Sequence, residues 1–141
     1  NVRQIANDAF SLCTNITSIV VDNENTTYDS RDNCNAIIFT SDNTLIVGCQ
    51  NTIIPQSVSG IGDNAFYGCT GLKSINIGEN IASIGEDAFY GCSGLNTVVW
   101  DTKKYNTDYS SSTETPFYIG DEEFEKAMTA FSMRNRRFGK V

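Results

Sequence analysis

Hydrophobic residues return along this chain at a fixed interval. The twelve residues Ile61–Leu72 (IGDNAFYGCTGL) recur as Ile84–Leu95 (IGEDAFYGCSGL), and a third copy (IANDAFSLCTNI) occupies Ile5–Ile16. A unit as short as the step from Ile61 to Ile84 cannot bury its own apolar face, so neighbouring units must stack and share one core. The pattern therefore predicts a repeat solenoid.

The interval is longer at one point of the chain. The residues that end equivalent units are Ile16, Cys49, Leu72 and Leu95, so the first interval exceeds the next two by ten positions. The extra positions are expected in the segment of about 35–48, where two β-rich runs flank a polar turn. These runs predict a β-hairpin insertion that projects from the edge of the solenoid.

Each unit is expected to contain one short strand. In the last two full copies the residues after the terminal Leu alternate between apolar and polar, so the strands of successive units should lie parallel with one face in the core. The segment Glu86–Phe89 is too short for more than a helical turn. The outward strand positions are the candidate binding residues: Thr17, Ser18, Val20, Ser74, Asn76, Thr97 and Val99.

Equivalent core positions predict two ladders of stacked side chains. The first consists of Phe10, Phe66 and Phe89, and the second of Cys13, Cys69 and Cys92 as buried free thiols. Cys34 and Cys49 lie outside this phase. The sequence leaves open whether these two form a disulfide or remain free.

The C-terminal segment departs from the repeat. Apolar residues at helical spacing, from Phe124 through Met128 to Phe131, predict an amphipathic helix over 121–133. Because repeat arrays need end caps, we expect 1–118 to form the array and 119–141 to form a capping helix with a basic tail, Arg134–Val141. Docking of a partner by this helix and tail is the alternative.

The repeat is similar to a known family. The pattern Ile-Gly-x-x-Ala-Phe-x-x-Cys-x-x-Leu-x-x-Ile-x-Ile resembles the BspA-like leucine-rich repeat, and residues 28–49 resemble its hairpin-bearing unit. The resemblance extends over about residues 3–100 and implies a leucine-rich-repeat, right-handed coil with short parallel strands and short helical turns. It also implies an extracellular or cell-surface location, because BspA-like proteins include surface adhesins that engage host matrix proteins and other cells.

Charge and composition argue against several other classes of function. The net charge is −7, with 13 acidic and 5 basic side chains in residues 1–118, and such a body repels nucleic-acid phosphates. No apolar run approaches the roughly 20 residues of a membrane span, so no membrane insertion is expected in this fragment. The first residue is Asn rather than Met, and we expect a mature or trimmed fragment.

The side chains that usually carry catalysis are scarce. The 141 residues contain no His, which removes His-based triads and most zinc sites, and no phosphate-binding glycine loop occurs. The segment Asp22–Asn25 with Asp29 and Asp32 is rich in oxygen ligands but lacks the spacing of a calcium loop, which favours a solvated turn. We therefore predict no enzyme activity, no cofactor and no metal.

These observations favour a non-catalytic, extracellular protein-binding or adhesion module. The resemblance implies a protein partner, such as a host extracellular-matrix or cell-surface protein. The alternative is a structural spacer that presents another part of a larger cell-surface protein. That alternative would explain why the outward strand positions lack the Trp, Tyr and Arg residues that binding hot spots favour.

Overall fold

The computed structural model describes residues 2–100, with Trp100 described by its backbone only. Within this range there is one short 3-10 helix, Arg31–Asn33, and no α-helix. The strands are β1 (Tyr28–Asp29), β2 (Ile37–Phe39), β3 (Thr44–Val47), β4 (Gly60–Ile61), β5 (Ser74–Ile77), β6 (Ser83–Ile84) and β7 (Thr97–Trp100). The predicted segments 119–141 and 121–133 lie outside the described residues.

The strands form two sheets, and each sheet is built from a different stretch of the repeat unit. One sheet has the order β1-β2-β3-β4-β6, and the other pairs β5 with β7. β5 and β7 are parallel and aligned one full period apart, with Ser74 beside Thr97, and β4 and β6 are likewise parallel, with Gly60 beside Ser83. The prediction of parallel strands from successive units is confirmed for β5 and β7. The expectation of one strand per unit is wrong, because β4 and β6 form a second parallel pair, in the stretch that precedes the tight turns.

Backbone hydrogen bonds also join the turns of neighbouring units. The N–H of Phe66 donates to the carbonyl oxygen of Ala88 (2.7 Å), and the N–H of Gly68 donates to that of Tyr90 (2.7 Å). The predicted helical turn at 86–89 is instead a series of tight turns, because Asp87 has a left-handed φ of 53°. A left-handed residue stops helical propagation, and Asp tolerates this conformation better than most side chains.

The core lies between the two sheets and confirms part of both predicted ladders. Phe66 and Phe89 are each 1% exposed, and their rings stack with centroids 4.9 Å apart and an interplanar angle of 9°. Cys69 and Cys92 are buried, as expected. Phe10 and Cys13 are exposed, however, so the prediction that they extend these ladders into the core is wrong.

The ladder ends at Phe66 because the hairpin-bearing unit has a shorter turn. Leu45 and Ile61 are register partners, yet Leu45 is followed by Cys49 after four residues, whereas Ile61 is followed by Leu72, the counterpart of Cys49, after eleven. The shorter turn carries no Phe. Its Gly48 lies against the Phe66 ring, where any Cβ atom would collide with ring carbons, and the Gly48 N–H donates to the Ala65 carbonyl (2.7 Å).

The hairpin itself is confirmed, but its predicted projection from the edge is wrong. β2 and β3 pair antiparallel, with Phe39 beside Thr44, and β1 pairs with the other edge of β2. β3 also pairs with β4, in parallel. The hairpin is therefore part of the larger sheet, because β3 itself takes the strand position of its unit.

The two cysteines outside the repeat phase are both buried and free in this structure. Cys34 and Cys49 each direct the sulfur towards a backbone carbonyl, that of Ala36 (3.8 Å) and that of Asn35 (3.4 Å), respectively. Cys34 and Ala36 belong to the main core cluster. The segment that leads into β2 thus supplies small side chains to the core next to the shortened turn.

Candidate interaction surface

Four of the predicted binding residues lie side by side on β5 and β7. The burial of Ser74–Ile77 alternates from exposed to buried, so Ser74 and Asn76 face solvent while Ile75 and Ile77 lie in the core. The register of the two strands places Ser74 beside Thr97 and Asn76 beside Val99. All four are exposed, which gives a two-strand patch of polar and β-branched side chains on a hydrogen-bonded frame.

The three remaining predicted residues are exposed but lie outside any strand. Thr17, Ser18 and Val20 belong to an extended segment that carries no strand assignment, and Val20 is 83% exposed. The side-chain amide of Asn51 donates to the Thr17 carbonyl oxygen at 3.0 Å. The structure therefore ties this segment to the unit that contains Asn51 and does not place it in the β5–β7 sheet.

One exposed residue of the same surface was missed by the sequence reasoning. Ile53 is 74% exposed and occupies, in the hairpin-bearing unit, the position of Val20, Asn76 and Val99 in the other units. The sequence contained this information, because Val20, Ile53, Asn76 and Val99 are separated by the same intervals as the residues that end the four units. We call these four residues the outward row: Val20, Ile53, Asn76 and Val99.

A second feature of the surface lies on the turns, away from the strands. Tyr67 and Tyr90 follow the two core Phe residues in the chain, and their rings stack with centroids 5.0 Å apart at 17°. Tyr90 remains 39% exposed. Sequence reasoning did not consider these tyrosines as binding residues, although Tyr after Phe occurs in both full copies.

An ion pair joins Arg31 to Asp29, outside the strands β5 and β7. The Arg31 guanidinium donates hydrogen bonds to both carboxylate oxygens of Asp29, and it holds the pKa of Asp29 below its usual 3.8. Arg31 also donates to the side-chain oxygen of Asn43 (2.8 Å) in the hairpin turn. The pair thus links β1 to the hairpin and is structural in character.

Two of the buried thiols, those of Cys69 and Cys34, are poorly suited to act as nucleophiles near neutral pH. Burial raises the pKa of the Cys69 thiol to about 11, and burial also raises the pKa of Cys34. Since the thiolate is the reactive form of cysteine, both groups stay in the unreactive protonated form.

In the oxygen-rich segment, the side-chain oxygens of Asp22 and Asn25 accept hydrogen bonds from nearby backbone N–H groups and so stabilise turns. The Asp22 carboxylate accepts a hydrogen bond from the Glu24 N–H (2.8 Å), and the Asn25 side-chain oxygen accepts from the N–H groups of Thr27 and Tyr28. Among residues 2–100, no three or more His, Cys, Asp or Glu side chains are grouped so that they could hold a metal ion. The same part of the chain contains no helix of the length and apolarity that a membrane crossing requires.

The family model for the BspA type leucine-rich repeat region matches the chain over residues 1–47 and 46–117, in six copies. No curated protein matches the chain. The chain is similar to a leucine-rich repeat protein from Eubacterium ventriosum of known crystal structure, at 21% identity and a TM-score of 0.44. That likeness covers 66% of this chain and 32% of the length of the other protein.

Proposed function

Since the chain belongs to the BspA-type leucine-rich repeat family, we propose that it is a non-catalytic protein-binding and adhesion module that works outside the cell. The observation that carries the proposal is the alignment of exposed side chains on β5 and β7, Ser74 beside Thr97 and Asn76 beside Val99. Repeat stacking makes such a surface rigid and extended, and a rigid surface loses little conformational entropy when it binds.

The chemistry of this surface suits a protein more than a nucleic acid or a small ligand. Hydroxyl and amide groups of Ser74, Asn76 and Thr97 can exchange hydrogen bonds, and Val99 offers an exposed apolar side chain. The acidic net charge of −7 opposes contact with phosphate backbones. An uncharged strip of hydroxyl, amide and apolar side chains matches the mixed polar and apolar character of protein interfaces.

The location and the partner class in this proposal derive from the family. Proteins of this type are typically secreted or attached to the bacterial surface, and leucine-rich repeats generally serve as interaction scaffolds rather than enzymes. We extend the binding surface to Thr17, Ser18 and Val20 in the first unit, and we add Ile53. The partner class we propose is a host extracellular-matrix or cell-surface protein.

Surface plasmon resonance with a panel of purified matrix and cell-surface proteins tests the proposal. Once a partner binds, Ser74→Arg in the strand patch should weaken it by at least about tenfold, as expected near the centre of an interface. Ser83→Arg is the matched control, because Ser83 is an exposed strand residue in the other sheet. Equal affinity of Ser74→Arg, Ser83→Arg and the unmodified chain would refute the assigned surface.

A structural spacer is the second candidate, and one observation favours it. None of the seven predicted surface residues is Trp, Tyr or Arg, the types that dominate binding hot spots. The organisation of the full-length gene separates the two functions. A long array with this piece in its interior and an anchor at its end favours the spacer, whereas a short free-standing protein favours direct binding.

A further inference from the structure

The first coil of the array, which we define as residues 2–21, contains no buried residue. Its core-phase positions are apolar, like those of the later units, but they are exposed or only partly buried. Their counterparts in the unit that starts at Ile61 are at most 7% exposed. The pairs are Ile5 and Ile61, Ala9 and Ala65, Phe10 and Phe66, Cys13 and Cys69, Ile16 and Leu72, Ile19 and Ile75, and Val21 and Ile77.

The backbone of the first coil carries a matching row of open hydrogen-bond acceptors. Between later units, N–H groups of one turn donate to carbonyl oxygens of the next: Asn64 to Glu86, Phe66 to Ala88 and Gly68 to Tyr90, at 2.7–2.9 Å. The equivalent carbonyls in the first coil belong to Asn7, Ala9 and Ser11. No described residue donates a backbone hydrogen bond to these three carbonyl oxygens.

The apolar face and the acceptor row together specify what covers this end. A polypeptide that buries both must present apolar side chains in the phase of the repeat and N–H donors at alternate residues of its turn. A coil of the same repeat has both properties. The first coil is also nearly neutral, with only Arg3 and Asp8 charged among residues 2–21, so stacking of another coil meets little charge repulsion.

We propose that the first coil is the docking surface for a further leucine-rich repeat coil, supplied upstream in the same polypeptide and stacked in the same phase. A terminal capping unit would instead have a polar outer face, which this coil lacks. Two-fold pairing of two copies through this face would place carbonyl acceptors opposite carbonyl acceptors. The acceptor row therefore argues against a second copy in that arrangement.

A graft tests the proposal on the whole chain. A copy of residues 57–79, with its own cysteine changed by Cys69→Ala, is placed directly before Asn1, because residue 80 is the counterpart of residue 1 in the repeat. The readout is the rate at which iodoacetamide alkylates Cys13 in the native protein, measured by peptide mass spectrometry. The matched control carries the same graft with its sequence in scrambled order.

Cys13 is exposed in this structure and should react readily, whereas its counterparts Cys69 and Cys92 are buried. The in-phase graft should slow alkylation of Cys13 by at least about tenfold, because reaction then requires local opening of the stack. It should also raise the thermal midpoint, and Phe10→Ala should lower that midpoint further in the grafted chain than in the ungrafted one. The scrambled graft should change neither quantity.

A second variant covers the case in which a single added coil does not fold. Two tandem copies of residues 57–79 form their own stacked pair, and they should protect Cys13 in the same way. Unchanged alkylation of Cys13 with both grafts would overturn the proposal. Protection of Cys13 in the ungrafted chain, rising with protein concentration and accompanied by dimers in light scattering, would assign the surface to a second copy and would equally overturn it.

Discussion

Replacement of single phenylalanines tests the finding that the ladder of rings stops at Phe66. Phe66 is 1% exposed, stacks on Phe89 and lies beneath the backbone of Gly48, so Phe66→Ala leaves a cavity that the surroundings cannot fill easily. We expect it to lower the free energy of unfolding by about 3–5 kcal/mol. Phe10 is 37% exposed, and Phe10→Ala should cost about 1–2 kcal/mol, since only part of its apolar area leaves water on folding.

Guanidinium unfolding, followed by circular dichroism, measures both free energies from the midpoint and slope of the transition. The double variant Phe66→Ala/Phe89→Ala adds a second check. Its loss should fall short of the sum of the single losses by about 0.5–1.5 kcal/mol, because each single change already removes the ring stacking. Equal destabilisation by Phe10→Ala and Phe66→Ala would refute the conclusion that Phe10 lies outside the core.

Two further predictions concern the hairpin-bearing unit. Gly48→Ala should destabilise the protein by about 1–3 kcal/mol, because the added methyl group collides with the Phe66 ring; Phe66→Leu in the same chain should recover part of that loss, and no recovery would contradict the assigned collision. The folded-state pKa of Asp29 is lowered by its hydrogen bond from Arg31, so the pair stabilises the fold above pH 3.8 and its contribution disappears as the pH falls through the lower folded value. Asp29→Asn should therefore be less stable than the unmodified chain at pH 7 and equally stable at the acid end of a thermal-melt series, whereas a constant difference across that series would show that the carboxylate charge is not involved.

Much of the regular part of the fold was predictable from the repeat. A fixed period with apolar residues in phase can be satisfied only by stacking, and stacking sets the parallel register of β5 and β7 once the period is known. The burial of Cys69 follows for the same reason, because its unit has a neighbour on each side, and Cys92 is buried as the same phase predicts.

The errors arose where burial depends on a neighbour rather than on the local pattern. Phe10 and Cys13 have the same sequence context as Phe66 and Cys69, but no unit among the described residues packs on the outer side of the first coil. A pattern states which face of a unit is apolar and leaves open whether another unit lies against it. For this reason the pattern correctly predicted strands such as β5 and β7 but wrongly predicted the burial of Phe10 and Cys13.

The hairpin illustrates a different difficulty. A count of ten extra residues predicts an insertion, yet the structure combines a longer excursion through β1 and β2 with a turn seven residues shorter than that of the next unit, counted from Leu45 to Cys49 and from Ile61 to Leu72. The longer excursion adds residues and the shorter turn removes some, so the sequence interval shows only the net excess of ten. The shortened turn became visible only when the register of Leu45 with Ile61 fixed where β3 lies.

The same shortened turn decides which side of the array offers the longer binding surface. On the turn side, Tyr67 and Tyr90 stack in successive units, but the hairpin-bearing unit has no turn residue equivalent to them, so the aromatic row is interrupted. On the strand side, every unit keeps an exposed residue at the equivalent position, and together these form the outward row. An extended protein partner gains contact area with each unit that it crosses, so the strand side is the surface on which repetition can strengthen binding most.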